Sequence, residues 1–261
     1  MLYEKRRLAR PLNSAEGARR PDIQPQRQTM TAFVLPAPPT PSVAVAGSSE
    51  RFAVRRIFCV GRNYAAHIRE FGNDERDPPF FFTKPADAVA DSGVTVPYPP
   101  LTTNLHHEIE LVAAIGKPGF RIPRAQALDH VWGYAVGIDL TRRDLQDDAK
   151  KAARPWDWSK AFDRSAPCGP LVPAQKSGHP SQGRIWLAVD GKVRQDADLA
   201  ELIWPVSDIV SICSEGMELQ PGDLIFTGTP AGVGAVKPGE TMTGGVDGIG
   251  TIEVTIGPPN R

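Results

Sequence analysis

The sequence predicts a β-rich α+β fold, and three observations carry that expectation. Residues 104–115 alternate apolar and polar side chains at a period of two, as a strand does. Further short runs of strand-like composition recur at 54–60, 80–84, 132–140, 224–227 and 251–256, and Arg184 to Gln195 reads as a hairpin around Asp190-Gly191. Helical patterning is confined to short pieces, after Gly61 and at 123–130, 141–151 and 206–215.

The totals bound the class of protein. A chain of 261 residues can bury a full core, and its 30 basic residues balance its 30 acidic ones. That balance points away from nucleic acid and from acidic membrane surfaces as partners. Cys59, Cys168 and Cys213 are far apart and match no zinc spacing, so reduced, mostly buried thiols are expected. No apolar run approaches the ~20 residues of a membrane span, and no secretory signal is evident. A cytoplasmic protein is the expectation.

Taken in order, residues 1–30 are basic, poor in apolar side chains and without periodicity, which predicts a disordered extension. An organellar transit peptide, or translation starting at Met30, are the alternatives at that end. Residues 31–50 read as a proline-rich extended lead-in, with a short edge strand at 43–46, and organised structure begins at Arg51 and runs to residue 261. The strand at 54–60 ends at Gly61, and on the helix that follows His67 and Glu70 are i and i+3 neighbours. The polar stretch that follows has the composition of a surface loop and is a candidate lid, taken as Phe71 to Pro79. Phe80 to Lys84 is apolar and ends in a lysine, either snorkelling at an edge or facing inward. On the strand 132–140, Ala135, Gly137 and Asp139 share a face, and small residues there leave room beside the carboxylate. Arg143 and Gln146 are i and i+3 on the helix 141–151, Trp156 to Lys160 combines two aromatics with a lysine, and Ser207 or Asp208 is placed to cap the helix at 206. The end of the chain reads as the strand 224–227, a loop Gly228 to Gly234, a glycine-rich turn and a terminal strand. That loop lacks the Gly-Lys-Ser/Thr and the following helix of a P-loop, although its backbone N–H groups could meet a carboxylate.

Period two puts Glu108 and Glu110 on one face of their strand, with Cβ atoms roughly 6 to 7 Å apart. An isolated Glu-x-Glu is more often a solvated face. With Asp139 as a third carboxylate, however, the set suits a hard cation such as Mg²⁺, Mn²⁺ or Ca²⁺ rather than zinc. His67 with Glu70 has the form of a base and its orienting carboxylate, and Lys84, Arg143 and Lys160 can balance anionic charge.

Seven ordered motifs then carry a family resemblance. They are Gly61-Arg62-Asn63-Tyr64 with His67 and Glu70; Phe82-Thr83-Lys84-Pro85; Leu105 to Leu111; Gly137-Ile138-Asp139; Arg143-Asp144-Leu145-Gln146; Ser159 to Asp163; and Thr227-Gly228-Thr229-Pro230. In this order, from about residue 51 to the end, the chain resembles the fumarylacetoacetate hydrolase superfamily, and within it the acylpyruvate and fumarylpyruvate hydrolases. The resemblance implies a mixed β-sheet roll, a homodimer, and Mg²⁺ or Mn²⁺ on Glu108, Glu110 and Asp139, with Ca²⁺ as a non-native occupant. It also implies that His67 and Glu70 lie on a lid, and that Lys84, Arg143, Gln146, Lys160 and Thr229 line the pocket.

The reaction this implies is hydrolysis of a C–C bond in a 2,4-dioxo acid, fumarylpyruvate giving fumarate and pyruvate, with His67, Glu70 and Lys160 as catalytic residues. Oxaloacetate decarboxylation or tautomerisation, and isomerisation of a 2-hydroxy-dienedioate, use the same kind of site; a non-catalytic ligand-binding protein is the alternative from another class. His106 and His107 are assigned supporting roles. The distal carboxylate of a fumaryl group needs a cation, with Arg62, Arg69 and Arg154 as candidates.

Overall fold

The computed structural model describes residues 33–64 and 78–259. His67, Arg69, Glu70 and most of the candidate lid therefore lie outside the described residues, as does nearly all of the predicted basic extension. Of the first 38 residues, which form a unit of their own, 33–38 are described and contain neither strand nor helix.

The strands in chain order are β1 (Ser42–Ala44), β2 (Arg51–Ala53), β3 (Arg56–Gly61), β4 (Phe80–Lys84), β5 (Val89–Asp91), β6 (Val94–Pro97), β7 (Leu105–His107), β8 (Ile109–Ile115), β9 (Val131–Ile138) and β10 (Thr141–Arg142). Two helices follow, α1 (Arg143–Lys151) and α2 (Asp157–Lys160), then β11 (Ala166–Cys168), β12 (Val172–Pro173) and α3 (Ala174–Ser177). The chain continues through β13 (Arg184–Val189), β14 (Lys192–Asp198), α4 (Val206–Gly216), β15 (Asp223–Phe226), β16 (Gly234–Ala235), β17 (Thr241–Val246) and β18 (Gly250–Gly257).

Most of the strands belong to two sheets. The larger runs β4-β3-β15-β8-β9-β11-β5 with β12 also on β9; the smaller runs β14-β13-β17-β18-β6. Parallel pairs (β15 with β3, β11 with β5, β18 with β6) sit among antiparallel ones, so both sheets are mixed, as the β-rich roll requires. The parallel pair β15 and β3 starts at Asp223, whose buried carboxylate accepts from Arg55 and Arg56 at 3.0 Å each.

Alternation along β8 divides the core. Leu111, Ala113 and Ile115 join Ile185, Leu187, Met242, Ile252 and Val254 of the smaller sheet in the main cluster. Val112 and Ala114 face the other way, packing with Ile57, Cys59, Ala135, Leu224 and Phe226. By the same period Glu110, Asp139 and Lys84 fall on this second face, so the charged groups sit on the face opposite the main cluster. The three cysteines are buried free thiols.

Four expectations are corrected. The run 104–115 is two strands rather than one: β7 pairs with β10 and β16 in a three-stranded sheet, β8 pairs with β15 and β9, and the chain changes sheets at Glu108. The glycine-rich turn expected before the terminal strand is narrower than the glycines suggest: it lies at 247–249, with Gly248 at φ +74°, whereas Gly244 and Gly245 belong to β17, where a Cβ would fall 2.7 Å from Ile109 Cδ1 and 3.0 Å from Trp186 Nε1. Neither Ser207 nor Asp208 caps α4; the residue before it is Pro205, and no side chain bonds the helix start. Gly137 does not open room beside Asp139, since the space a Cβ would take is filled by Val112 Cγ2 (2.5 Å) and Phe226 Cε1 (2.6 Å).

That last packing is directly testable. Gly137→Ala should lower stability by about 1–3 kcal/mol through overpacking, read as a fall in the urea midpoint at unchanged slope. An unmoved midpoint would mean that the neighbouring strands do not close on this position.

Candidate active site

Glu108 stands where the chain passes from β7 to β8, Glu110 is the second residue of β8, and Asp139 directly follows β9. The ladder sets them side by side: Glu110 pairs with Gly137, and the Asp139 N–H donates to the Glu108 carbonyl at 2.8 Å. One carboxylate oxygen from each lies within 4.8 Å of the others, and all three residues are buried.

Three anions at this distance under burial repel strongly unless cations enter. Burial, followed by the charges of Asp139 and Glu108, pushes the Glu110 carboxyl well above the usual carboxylate range. The Gly228 N–H opposes this by donating to Glu110 Oε2 at 2.7 Å. The glycine loop thus meets a carboxylate of its own chain. Lys160 Nζ donates to Glu108 Oε2 (2.8 Å), Asp139 Oδ2 (2.5 Å) and Thr141 Oγ1 (2.6 Å), which employs all three ammonium protons. Burial works against this charge, yet Asp139 and Glu108 outweigh it and hold the Lys160 pKa above the ordinary lysine range.

Lys84 faces inward rather than snorkelling. Its ammonium is 2.7 Å from Asp139 Oδ1 and donates to the carbonyls of Leu140 and Lys160, and burial draws its pKa down. Arg143, the first residue of α1, pairs with Glu108 Oε1 and donates to Gln146 Oε1 at 2.5 Å.

These groups surround one pocket, lined by Glu108, Glu110, Arg143, Gln146, Lys160 and Thr229 together with Val60, Gly61, Arg62, Phe82, Lys150 and Trp156. Of the residues predicted for the site, Lys84 and Asp139 stand behind this lining and His67 and Glu70 lie outside the described residues. The donor chemistry fits a hard divalent ion. The clustered ligand atoms are all carboxylate oxygens, with no thiol or imidazole among them.

Sequence reasoning missed several contributors. Gln195, fully buried on β14, accepts from the Ile109 N–H and from His107 Nδ1 through Oε1, and donates to Thr229 Oγ1 (2.8 Å) and the Pro230 carbonyl. It ties the β7–β8 joint to the Thr229 loop, and a glutamine in a hairpin strand carries no sequence signal of that. His107 is accordingly a bracing residue, and His106 is held by Asn104 and Arg143. Lys150 had a readable signal: it is i+4 from Gln146 and i+7 from Arg143, on one helix face. Of the cations considered for a distal carboxylate, Arg62 lines the pocket, and Arg154 lines an adjoining cleft that shares Phe82 and Trp156.

Among the described residues no helix is long and apolar enough to cross a membrane. The chain is 56% identical to a fumarylpyruvate hydrolase from Pseudomonas aeruginosa solved in complex with Mn²⁺ and pyruvate, at a TM-score of 0.85, over 87% of this chain and 100% of that one. A fumarylpyruvate hydrolase of Ralstonia sp. is 49% identical over 69% of this chain and 93% of its own length. The mitochondrial oxaloacetate tautomerase of Rattus norvegicus is 43% identical over 75% of this chain and 88% of its own. The model of the fumarylacetoacetate (FAA) hydrolase C-terminal family matches residues 56–257, and the chain belongs to that family.

Proposed function

We propose that the protein is a metal-dependent hydrolase that cleaves the C–C bond of a 2,4-dioxo acid, with fumarylpyruvate giving fumarate and pyruvate. The observation that carries this is the buried Glu108, Glu110 and Asp139 cluster opening on a pocket whose polar lining includes Arg143, Lys160, Gln146 and Thr229. Similarity to the fumarylpyruvate hydrolases, one of them holding Mn²⁺ and pyruvate, supports the substrate class and the ion. We further read residues 51–261 as the catalytic domain, which the family match over 56–257 supports, and the protein as a cytoplasmic homodimer.

Glu108, Glu110 and Asp139 would hold Mg²⁺ or Mn²⁺, which when bound supplies a Lewis acid for the carboxylate and 2-oxo oxygens of the substrate. Arg143 and Gln146 are placed to bind the substrate carboxylate, and Thr229, whose oxygen accepts from Gln195, keeps its own proton free to donate. His67, oriented by Glu70, takes a proton from the water that attacks the 4-carbonyl carbon; this part rests on the sequence motif. The tetrahedral adduct then breaks its bond between C3 and C4, releasing the acid and the enolate of pyruvate, which is protonated at C3. The Lys160 ammonium, whose protons are engaged by Glu108, Asp139 and Thr141, stabilises the enolate through its positive charge. Lys84 reads from its geometry as the brace of Asp139.

Tautomerisation or decarboxylation of oxaloacetate is a second reading, favoured by the 43% identity to an oxaloacetate tautomerase. It needs the same enolate-stabilising groups and no attacking water.

Assayed with Mg²⁺ or Mn²⁺ across fumarylpyruvate, acetylpyruvate, fumarylacetoacetate and oxaloacetate, the protein should release fumarate and pyruvate in equal amounts from the first. Chelation should abolish this activity. Carbon dioxide or enol formation from oxaloacetate without hydrolysis of any acylpyruvate would establish the second reading instead.

Two variants separate the roles. His67→Ala should lose about 10²–10⁴ in kcat while binding as much Mn²⁺ as the parent; undiminished turnover would remove His67 from the base role. Asp139→Asn should lose bound Mn²⁺, counted by electron paramagnetic resonance after checking the thermal melt. Full Mn²⁺ occupancy in a folded Asp139→Asn protein would exclude it as a ligand.

A further inference from the structure

The pocket has two chemically different halves. One half, called inner, is the buried polar lining of carboxylates, Lys160, Arg143, Gln146 and Thr229; the other, called outer, is the more exposed pair of further cations, Arg62 and Lys150, with Trp156, and the apolar Val60 and Phe82 lie between, the Phe82 ring 5.0 Å from the Lys160 ammonium. Nothing in the proposed chemistry uses that second half.

Aromatic rings position both cations. Trp156 packs edge-on to Phe80, with ring centroids 5.1 Å apart, and tilts against Phe82 at 5.7 Å. The Lys150 ammonium lies 5.4 Å from the Trp156 ring centroid, and the Arg62 guanidinium 5.6 Å from that of Phe80. Arg62 also has a left-handed backbone, φ +72°, uncommon for a residue with a Cβ. Asn63 holds that turn: its Nδ2 donates to the Thr227 and Trp204 carbonyls at 2.7 and 3.0 Å, and its Oδ1 accepts from the Trp204 N–H. The conformation is therefore imposed by the surrounding structure.

The two cations share a field. Burial, and then the guanidiniums of Arg143 and Arg62, lower the Lys150 pKa, with Asp147 and Glu108 opposing. Like charges gathered at one mouth cost free energy, and an anion arriving between them recovers it.

We propose that Arg62 and Lys150 form a second anion subsite, with Phe82, Trp156 and Val60 packing the chain between, so that the pocket selects 2-oxo acids carrying a distal carboxylate. This rests on the proposed function for the inner half, and it makes Arg62 and Lys150 determinants of specificity rather than of chemistry. The dicarboxylate has the matching pattern: an oxygen-rich head, an apolar middle and an anionic end.

The test uses two seven-carbon acids, 2-oxoheptanedioate and 2-oxoheptanoate, alike except for the terminal carboxylate. Neither has the 2,4-dioxo unit, so neither is cleaved, and their affinities for the Mn²⁺-loaded protein can be measured by calorimetry whether or not the hydrolase reading holds. The parent should bind the diacid at least about ten-fold more tightly, the size of one charge-assisted hydrogen bond. Arg62→Met and Lys150→Met should each bring the ratio toward one, and Lys150→Arg should restore it. Equal affinities in the parent, or equal losses for both acids in the methionine variants, would overturn the subsite. Failure of both acids to bind would overturn the subsite together with the reading of the inner half; absence of acylpyruvate cleavage beside a retained diacid preference would overturn the hydrolase reading alone.

Discussion

Three carboxylates forced together under burial are the constraint on which the rest of this structure depends. An uncompensated buried charge costs several kcal/mol, so Glu108, Glu110 and Asp139 can share one place only if cations and N–H donors are brought to them from elsewhere in the chain. The chain brings them from four places. Lys84 ends β4, Lys160 ends α2, Arg143 begins α1, and the Gly228 N–H lies just after β15. Breaking one partner would leave another buried and unpaired. The constellation is therefore an organising feature of the fold as well as a site within it.

The sheet order makes this convergence possible. In the run β4-β3-β15-β8-β9, alternation sends Lys84, Glu110 and Asp139 to a common face, while the opposite face of β8 joins the main core. Changing sheets at Glu108 frees that residue from the ladder on its own strand while its carbonyl still accepts from Asp139. Glu108 can then turn toward both Lys160 and Arg143. Gln195 and Asn63 fix the surrounding loops by satisfying two and three backbone groups respectively, and both are fully buried.

Much of this was readable from residue order. Period two on 104–115 and 132–140 put the carboxylates on two strand runs, without showing that these adjoin, and i, i+3 spacing paired Arg143 with Gln146, because both patterns are local consequences of backbone geometry. The parts that escaped depend on what packs across the gap. The break at Glu108 is set by which strands pair on each side of it. Sequence alone does not say which glycines make the last turn; Gly244 and Gly245 stay in the strand, where Ile109 and Trp186 fill the space of their side chains. Lys84 follows the common snorkelling pattern in sequence and turns inward because Asp139 waits on that face. Gln195 comes from a hairpin strand remote in sequence, so only tertiary structure reveals its bond to Thr229.

The two halves of the pocket then divide the tasks of recognition. In the proposed function a hard cation with Arg143 and Gln146 would recognise the head that every 2-oxo acid shares, so the inner half alone would discriminate little among them. Specificity is a difference between affinities, and it needs a feature that one ligand has and its competitor lacks. A pocket that merely packs an apolar chain changes affinity by only about 1–3 kcal/mol per methylene. A charged mouth adds a penalty for the wrong ligand, because an apolar chain end displaces water from Arg62 and Lys150 without returning any hydrogen bond to them. In this reading the left-handed turn at Arg62 and the aromatic row beside Lys150 hold specificity on rigid elements, apart from the groups proposed to break the bond.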